Sequence, residues 1–339
     1  WNYVVDPNLP IGQVVISEFL TSAERTTGLK DEDGDLEDWI ELHNTGTTAV
    51  NLAGWSLTDD PEEPGLWTFP NVTLAAGARL VVFASGKDRT STAAGTRLHT
   101  NFQLGNDGEY LALFNADSPR VAMTEFPNDY PEQRDDYSYG RETSGAWRYF
   151  QIPTPGQPNG VSNISGVVPK PEVSHKRGWH DAPFSLVISN SLAGATIRYT
   201  IDGSLPTESS GFLYNGPLQV SSNLVLRAAA YRANNLPSEI ITHTYLFPEH
   251  VLRQPNNPAG FPVGPTVHAG YPSDYEMDPE IVNDPTYGPQ MIDALKALPI
   301  MSIAIKIDDM FGPANGIYTH PLNRGAQWEK PCSLVFIPV

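Results

Sequence analysis

The sequence predicts a mainly all-β chain: one β-sandwich, a second and smaller β-sandwich, then a short α+β segment. Three observations carry this. Apolar and polar residues alternate over short runs, each bounded by Gly, Pro, Asn or Asp. The 339 residues include 28 Gly and 31 Pro, many of them placed as turn-formers between those runs. Charged residues make up 18% of the chain against about 25% in ordinary domains, which argues against long Glu/Lys-rich helices and coiled coils. With 40% apolar residues there is material for more than one core, and the length predicts two or three domains.

Residues 1–11 read as a lead-in. Over 12–126, GQVVISEFL alternates apolar and polar residues, and DWIELHN does so again after an acidic loop. AVNLAGWSLTD, LWTFP, RLVVFAS, YLALFN and RVAMTEF follow at turn-punctuated intervals. Asn44-Thr45-Gly46, Ala76-Gly77 and Gly105-Asn106-Asp107-Gly108 supply turn positions that tolerate positive φ. This spacing of short strands predicts a sandwich, with Trp39, Trp55 and Trp67 in its core.

Residues 127–172 change character. Prolines 127, 131, 153, 155, 158, 169 and 171 break regular elements, so NDYPEQRDDYSYGRE reads as an extended excursion and TPGQPNGVSN as a linker. A domain boundary is expected near residues 155–170. Trp147, Tyr149 and Phe150 before it, and Trp179 and Phe184 after it, read as inter-domain packing, with an exposed aromatic platform for sugar rings as the alternative.

Over 173–247, FSLVIS, ATIRYTID, LVLRAAAYR and IITHTYLF make the second, smaller sandwich. Residues 248–297 form a proline-rich connector, including Pro265 and Pro272. It carries one expected helix over 289–298, with Met291, Ile292, Leu295 and Leu298 on one face. In 298–339, IMSIAIKI and CSLVFIPV read as two buried or half-buried strands, with Cys332 as a small buried hydrophobe.

Several segments resemble known families. VVISEFL, DLEDWIELHNTG, VNLAGWSLTD, LAAGARLVVFASG and NFQLGNDGEYLALFN occur in the order of the lamin-tail domain. That resemblance implies an immunoglobulin-like fold over 12–126, of the kind found in nuclear lamins and many secreted bacterial proteins. ATIRYTIDGSLPT, between FSLVIS and LVLRAAAYRANNLPSE, resembles the C-terminal module of chitobiase and related hexosaminidases, which implies a fibronectin-like β fold. Residues 298–337, LPIMSIAIKIDDMFGPANGIYTHPLNRGAQWEKPCSLVFI, led by YEMDPEIVNDPTYG, are similar to the beginning of the spore-coat CotH kinase family. The resemblance implies only the opening strands of that domain; its catalytic elements lie downstream, so no position here is assigned a catalytic role.

The best cation candidate is the acidic loop, where Asp31, Asp33 and Asp35 are offered as calcium ligands beside Glu32, Glu37 and Asp38. Hard cations want several oxygens in one shell. The EF-hand pattern fails, because Leu36 stands at its glycine position and Leu42 at its terminal acid. The competing reading is a solvated hairpin loop whose charges keep a sheet edge soluble. The eight histidines are scattered singly, and no Gly-x-Ser-x-Gly elbow or phosphate loop is present.

The net charge of −18 argues against a nucleic-acid partner, which needs clustered Lys and Arg, and against an anionic membrane surface. One cysteine excludes an internal disulfide framework and a multi-cysteine zinc site. No apolar run is long enough for a transmembrane segment. The first residue is Trp1, which implies a processed protein or a piece of a longer one, with any signal peptide upstream. The expected function is a non-catalytic extracellular or cell-surface region, secreted by a bacterium, acting as spacer, attachment or protein-interaction module with a protein or cell-surface partner. No cofactor is required on this reading. The alternatives are the targeting portion of a secreted CotH-like kinase and a polysaccharide-binding accessory module.

Overall fold

Strict alternation along VVISEFL would put Glu18 on the same face as Val14 and Ile16. A β-bulge prevents this. Pairing with the next strand shifts between Ile16 and Glu18, so Phe19 joins Val14 and Ile16 in the main core while Glu18 turns to the opposite face. One extra residue thus sets what each face of the first sheet carries.

The computed structural model describes residues 13–24, 28–263 and 274–339. The lead-in over 1–11 lies outside the described residues, as do Pro265 and Pro272. The chain divides into two compact units, between Val167 and Val168. The first contains, in order, β1 (Val14–Leu20), β2 (Trp39–Asn44), β3 (Val50–Asn51), β4 (Ser56–Thr58), β5 (Trp67–Thr68), β6 (Thr73–Leu74), β7 (Arg79–Phe83), β8 (Leu98–His99), β9 (Leu111–Phe114), β10 (Ala122–Phe126), β11 (Ser138–Arg141) and β12 (Trp147–Phe150). A six-stranded sheet in the order β12-β11-β1-β2-β7-β8 packs on a four-stranded sheet, β10-β9-β4-β5. Ile16, Phe19, Ile40, Leu42 and Val82 from one sheet meet Leu57, Trp67, Leu111, Leu113 and Phe126 from the other. Each such side chain contributes about 1.5–3 kcal/mol on burial. Trp39 and Trp67 are buried as expected, Trp39 in a smaller cluster with Leu20 and Phe83 on the other face of the six-stranded sheet.

Two expectations for 127–172 are corrected. The stretch read as an extended excursion ends in β11, which pairs with β1 and, through a hairpin, with β12, so the two strands enlarge the sheet. Its prolines stand in the flanking loops, so both strands keep their N–H donors. Trp147, Tyr149 and Phe150 are buried within the first unit, and the Trp147 ring lies against Phe126 and Tyr139 at 4.9 and 5.2 Å. Trp147 therefore offers no platform to a sugar ring.

The second unit contains β13 (Glu172–Val173), β14 (Gly178–Trp179), β15 (Phe184–Leu186), β16 (Ile188–Ser189), β17 (Thr196–Thr200), β18 (Phe212–Leu213), β19 (Leu218–Val220), β20 (Leu224–Tyr231) and β21 (Ile241–Leu246). After the short helices α1 (Pro248–Leu252), α2 (Pro279–Val282) and α3 (Met291–Lys296) come β22 (Ile300–Ile305), α4 (Ile307–Phe311) and β23 (Cys332–Ile337). Its main sheet is β14-β21-β20-β17-β18, packed on a core of Leu186, Ile188, Ile197, Leu226, Ala228, Tyr245 and Phe247. The turn after β17 needs Gly203: its φ is +79°, and a Cβ there would lie 2.5 Å from the Ile305 carbonyl oxygen.

The hairpin β22–β23 pairs along its length. Ser302 and Ser333 face the sheet, bonding to Thr244 at 2.6 Å and to the Arg227 guanidinium at 2.8 Å. Alternation then turns Cys332, Leu334 and Phe336 outward, so Cys332 is exposed and not the buried hydrophobe expected. Met301, Ile303, Leu334 and Phe336 are each more than half exposed on that outer face.

Candidate functional site

The acidic loop between β1 and β2 is organised by Asp31. A bridge between Lys30 and Leu36 closes its base. Asp31 Oδ1 accepts the backbone N–H groups of Asp33 and Asp35, both at 2.9 Å, which curls the loop around the carboxylate. Gly34, at φ +88°, makes the tight turn that this curl requires.

The other carboxylate oxygens converge on one ammonium group. Lys87, in the loop following β7, places Nζ 2.5 Å from Asp31, 2.9 Å from Asp35, 3.0 Å from Glu37 and 3.2 Å from Asp33. Beside it, Arg89 bonds Glu32 at 3.0 Å and Asp33 at 2.6 Å. His99 on β8, fully buried and stacked on Phe83, reaches Glu32 with Nε2 at 3.0 Å and Ser85 Oγ with Nδ1 at 2.7 Å.

The charges tune one another. Burial opposes ionisation of Asp31, but bonds from Lys87 and from two backbone N–H groups outweigh it and lower its pKa. Glu32 follows the same balance: burial pushes it up, while His99 and Arg89 hold it down to about 2. Burial disfavours charge on Lys87, yet four carboxylates raise its pKa above the usual lysine value. Next to the loop, Asp38 behaves oppositely. Burial pushes it up to about 7, the Leu104 N–H at 3.2 Å opposes this only in part, and Glu37 and Glu109 add to the rise.

Asp31, Asp33 and Asp35 are thus brought together, around Lys87. The sets whose ligand atoms lie within 4.8 Å of one another are Asp31, Asp35 and Glu37, and Asp31, Glu32 and His99. Sequence reasoning missed Lys87, Arg89 and His99 as partners. Local spacing holds no signal for them, because they arrive through the β2–β7–β8 pairing.

Ser85, His99 and Glu32 form a hydrogen-bonded line of nucleophile, imidazole and acid, in side-chain types like those of an acyl-transfer triad. With Nε2–H donating to Glu32, Nδ1 accepts from the Ser85 hydroxyl. Catalysis would also need an open nucleophile beside an anion cradle. A cavity of about 420 Å³ in this unit is lined by other residues, including His43, Arg79, Arg141 and Asn159. The line holds the loop's base in register with β8.

Residues 7–127 match the lamin tail domain family, and residues 186–245 match the Fn3-associated family. No catalytic domain is among the families matched. No curated protein matches the chain. Among the described residues no helix is long and apolar enough to cross a membrane.

Proposed function

We propose that this chain is a non-catalytic extracellular or cell-surface region, whose immunoglobulin-like and fibronectin-like modules serve for attachment and protein interaction. The observation that carries this is the pair of family matches, both to β modules of a kind that commonly recognise proteins. The most charged cluster of the first unit supports it, since its carboxylates spend their bonding capacity on Lys87, Arg89 and His99. We propose likewise that the acidic loop is neutralised from within, so that calcium would have to displace the Lys87 ammonium from Asp31 and Asp35.

Labelled protein added to cells of its own source tests the main reading. It should be retained at the surface and released when the cells are treated with protease. Release by a glycan hydrolase instead would favour the polysaccharide alternative. Phosphotransfer from ATP by the purified chain would overturn the non-catalytic reading. The kinase-parent reading rests on residues 298–337, and the outward apolar face of the β22–β23 hairpin favours it, because a further layer of that domain would cover such a face.

A further inference from the structure

The bulge in β1 has a second consequence. Glu18 and Glu41 stand directly opposite each other on β1 and β2, and both are fully buried. Like charges in that register repel, and buried carboxylates need donors. Arg79 supplies an ion pair to Glu41. Further donors come from a segment whose composition alone reads as a linker. Thr154 donates its N–H and its hydroxyl to Glu18 at 3.0 and 2.9 Å, and the Gly156 N–H donates to Glu41 at 2.6 Å. Ser138 and Ser17 each donate a hydroxyl, to Glu18 and to Glu41.

The receiving surface is shaped for this segment. Asn159 is buried, and its Nδ2 donates to the carbonyls of Ser17 and Arg141 at 3.0 and 2.9 Å. It fills a notch left by Gly140, where a Cβ would lie 2.5 Å from Asn159 Nδ2 and 3.0 Å from Ser17 O. Pro155 and Pro158 bring no N–H that would need a partner there. Farther on, Ser162 Oγ bonds Tyr149 O at 2.6 Å, and Tyr149 N–H bonds Ile164 O at 3.0 Å, so the segment also covers the outer edge of β12.

We propose that residues 154–164 are a latch: a peptide bound in cis by the Glu18–Glu41 pair and the Gly140 notch, whose closure carries the chain's exit from the first unit to Ile164 and whose opening releases residues 151–164 as a tether. Fully extended, that stretch would add up to about 45 Å of reach. Opening breaks these bonds and the backbone bond from Tyr149 to Ile164, and it leaves the sandwich standing, because none of the partners named above belongs to the main core.

Limited proteolysis of the whole chain with thermolysin tests this, since the enzyme cuts before large apolar residues and Ile152 and Val161 are already exposed. Asn159→Ala should raise cleavage within 151–164 at least tenfold while leaving cleavage within 28–126 unchanged. Thr154→Val should do the same and Thr154→Ser should behave as the parent. Gly140→Ala, acting from the other side of the notch, gives a second route to the open form. Resistance of 151–164 unchanged in Asn159→Ala and Thr154→Val would overturn the latch. So would a rise by the same factor within 28–126, which would mean that the segment opens only when the whole unit unfolds.

Discussion

Two groups of carboxylates lie in the first unit, one in the loop between β1 and β2 and one on those strands themselves, and they are kept by different means. In the acidic loop, partly open to water, acids meet the full positive charges of Lys87 and Arg89, from the loop after β7, and a ring N–H of His99 on β8. At the bulge, Glu18 and Glu41 are fully buried and rely mainly on neutral donors from the latch, with Arg79 as a cationic partner of Glu41. Charges near water can be replaced by water or by another ion. Buried acceptors that lose their donors have no such substitute. The contrast predicts that the pair with the weaker formal compensation is the costlier one to disturb.

The largest effect should therefore follow Glu41→Ala. It strands the Arg79 guanidinium and the Gly156 N–H together, while the Ser17 hydroxyl keeps the backbone carbonyl of residue 41, and it should cost about 3 kcal/mol, in the range for breaking a buried pair. Urea unfolding followed by tryptophan fluorescence measures it. A loss no greater than that of an exposed ion pair would collapse the distinction between the two groups.

Lys87→Ala should cost less, about 2 kcal/mol, between the values for buried and exposed pairs. Only the Asp31 side chain in that cluster is fully buried, and it keeps its two backbone donors. The loss should shrink in 1 M salt, where the repulsion among the freed acids is screened. The same variant sharpens the calcium question. With the ammonium gone, Asp31, Asp35 and Glu37 present oxygens to a divalent ion, so calcium should raise the melting temperature of Lys87→Ala and leave the parent unchanged. An equal rise in both would mean that calcium and Lys87 do not compete.

Much of the first unit is legible in its sequence, because strands such as Trp39–Asn44 and Arg79–Phe83 alternate cleanly between Ile40, Leu42 or Val82 and the opposite face. Ser138–Arg141 and Trp147–Phe150 were obscured by prolines that only bracket them. The bulge hid the meaning of Glu18, since a one-residue phase shift leaves no mark in composition. Asp31, Asp33 and Asp35 announce themselves as a cluster, but what they hold depends on Lys87, more than fifty residues away. In the second unit, the apolar run Cys332–Ile337 carries no signal for which of its alternating faces is buried; Ser333 bonds the sheet, so Cys332 faces outward.

The smallest effect separates the two groups by pH. Among the described residues Asp38, beside the acidic loop, has no cation of its own, and burial pushes it up to about 7. In the unfolded chain it titrates near 4. Between these values the folded state holds a proton that the unfolded state has lost, so the stability tied to Asp38 falls as pH rises from about 4 to about 7 and levels off above. Glu32 works in the opposite sense. Held at about 2, it loses its contribution only as pH drops below about 4, outside this window. Asp38→Asn keeps an oxygen for the Leu104 N–H and removes the titration. The variant should melt with the parent at pH 5 and above it at pH 8, by about 1 kcal/mol or a few degrees, because Asp38 is only half-buried and solvent screens the rest. Parallel curves would show that Asp38 is ionised throughout. Asp38 would then belong with the water-exposed acids of the loop, and burial that relies mainly on neutral donors would be confined to Glu18 and Glu41 in this comparison.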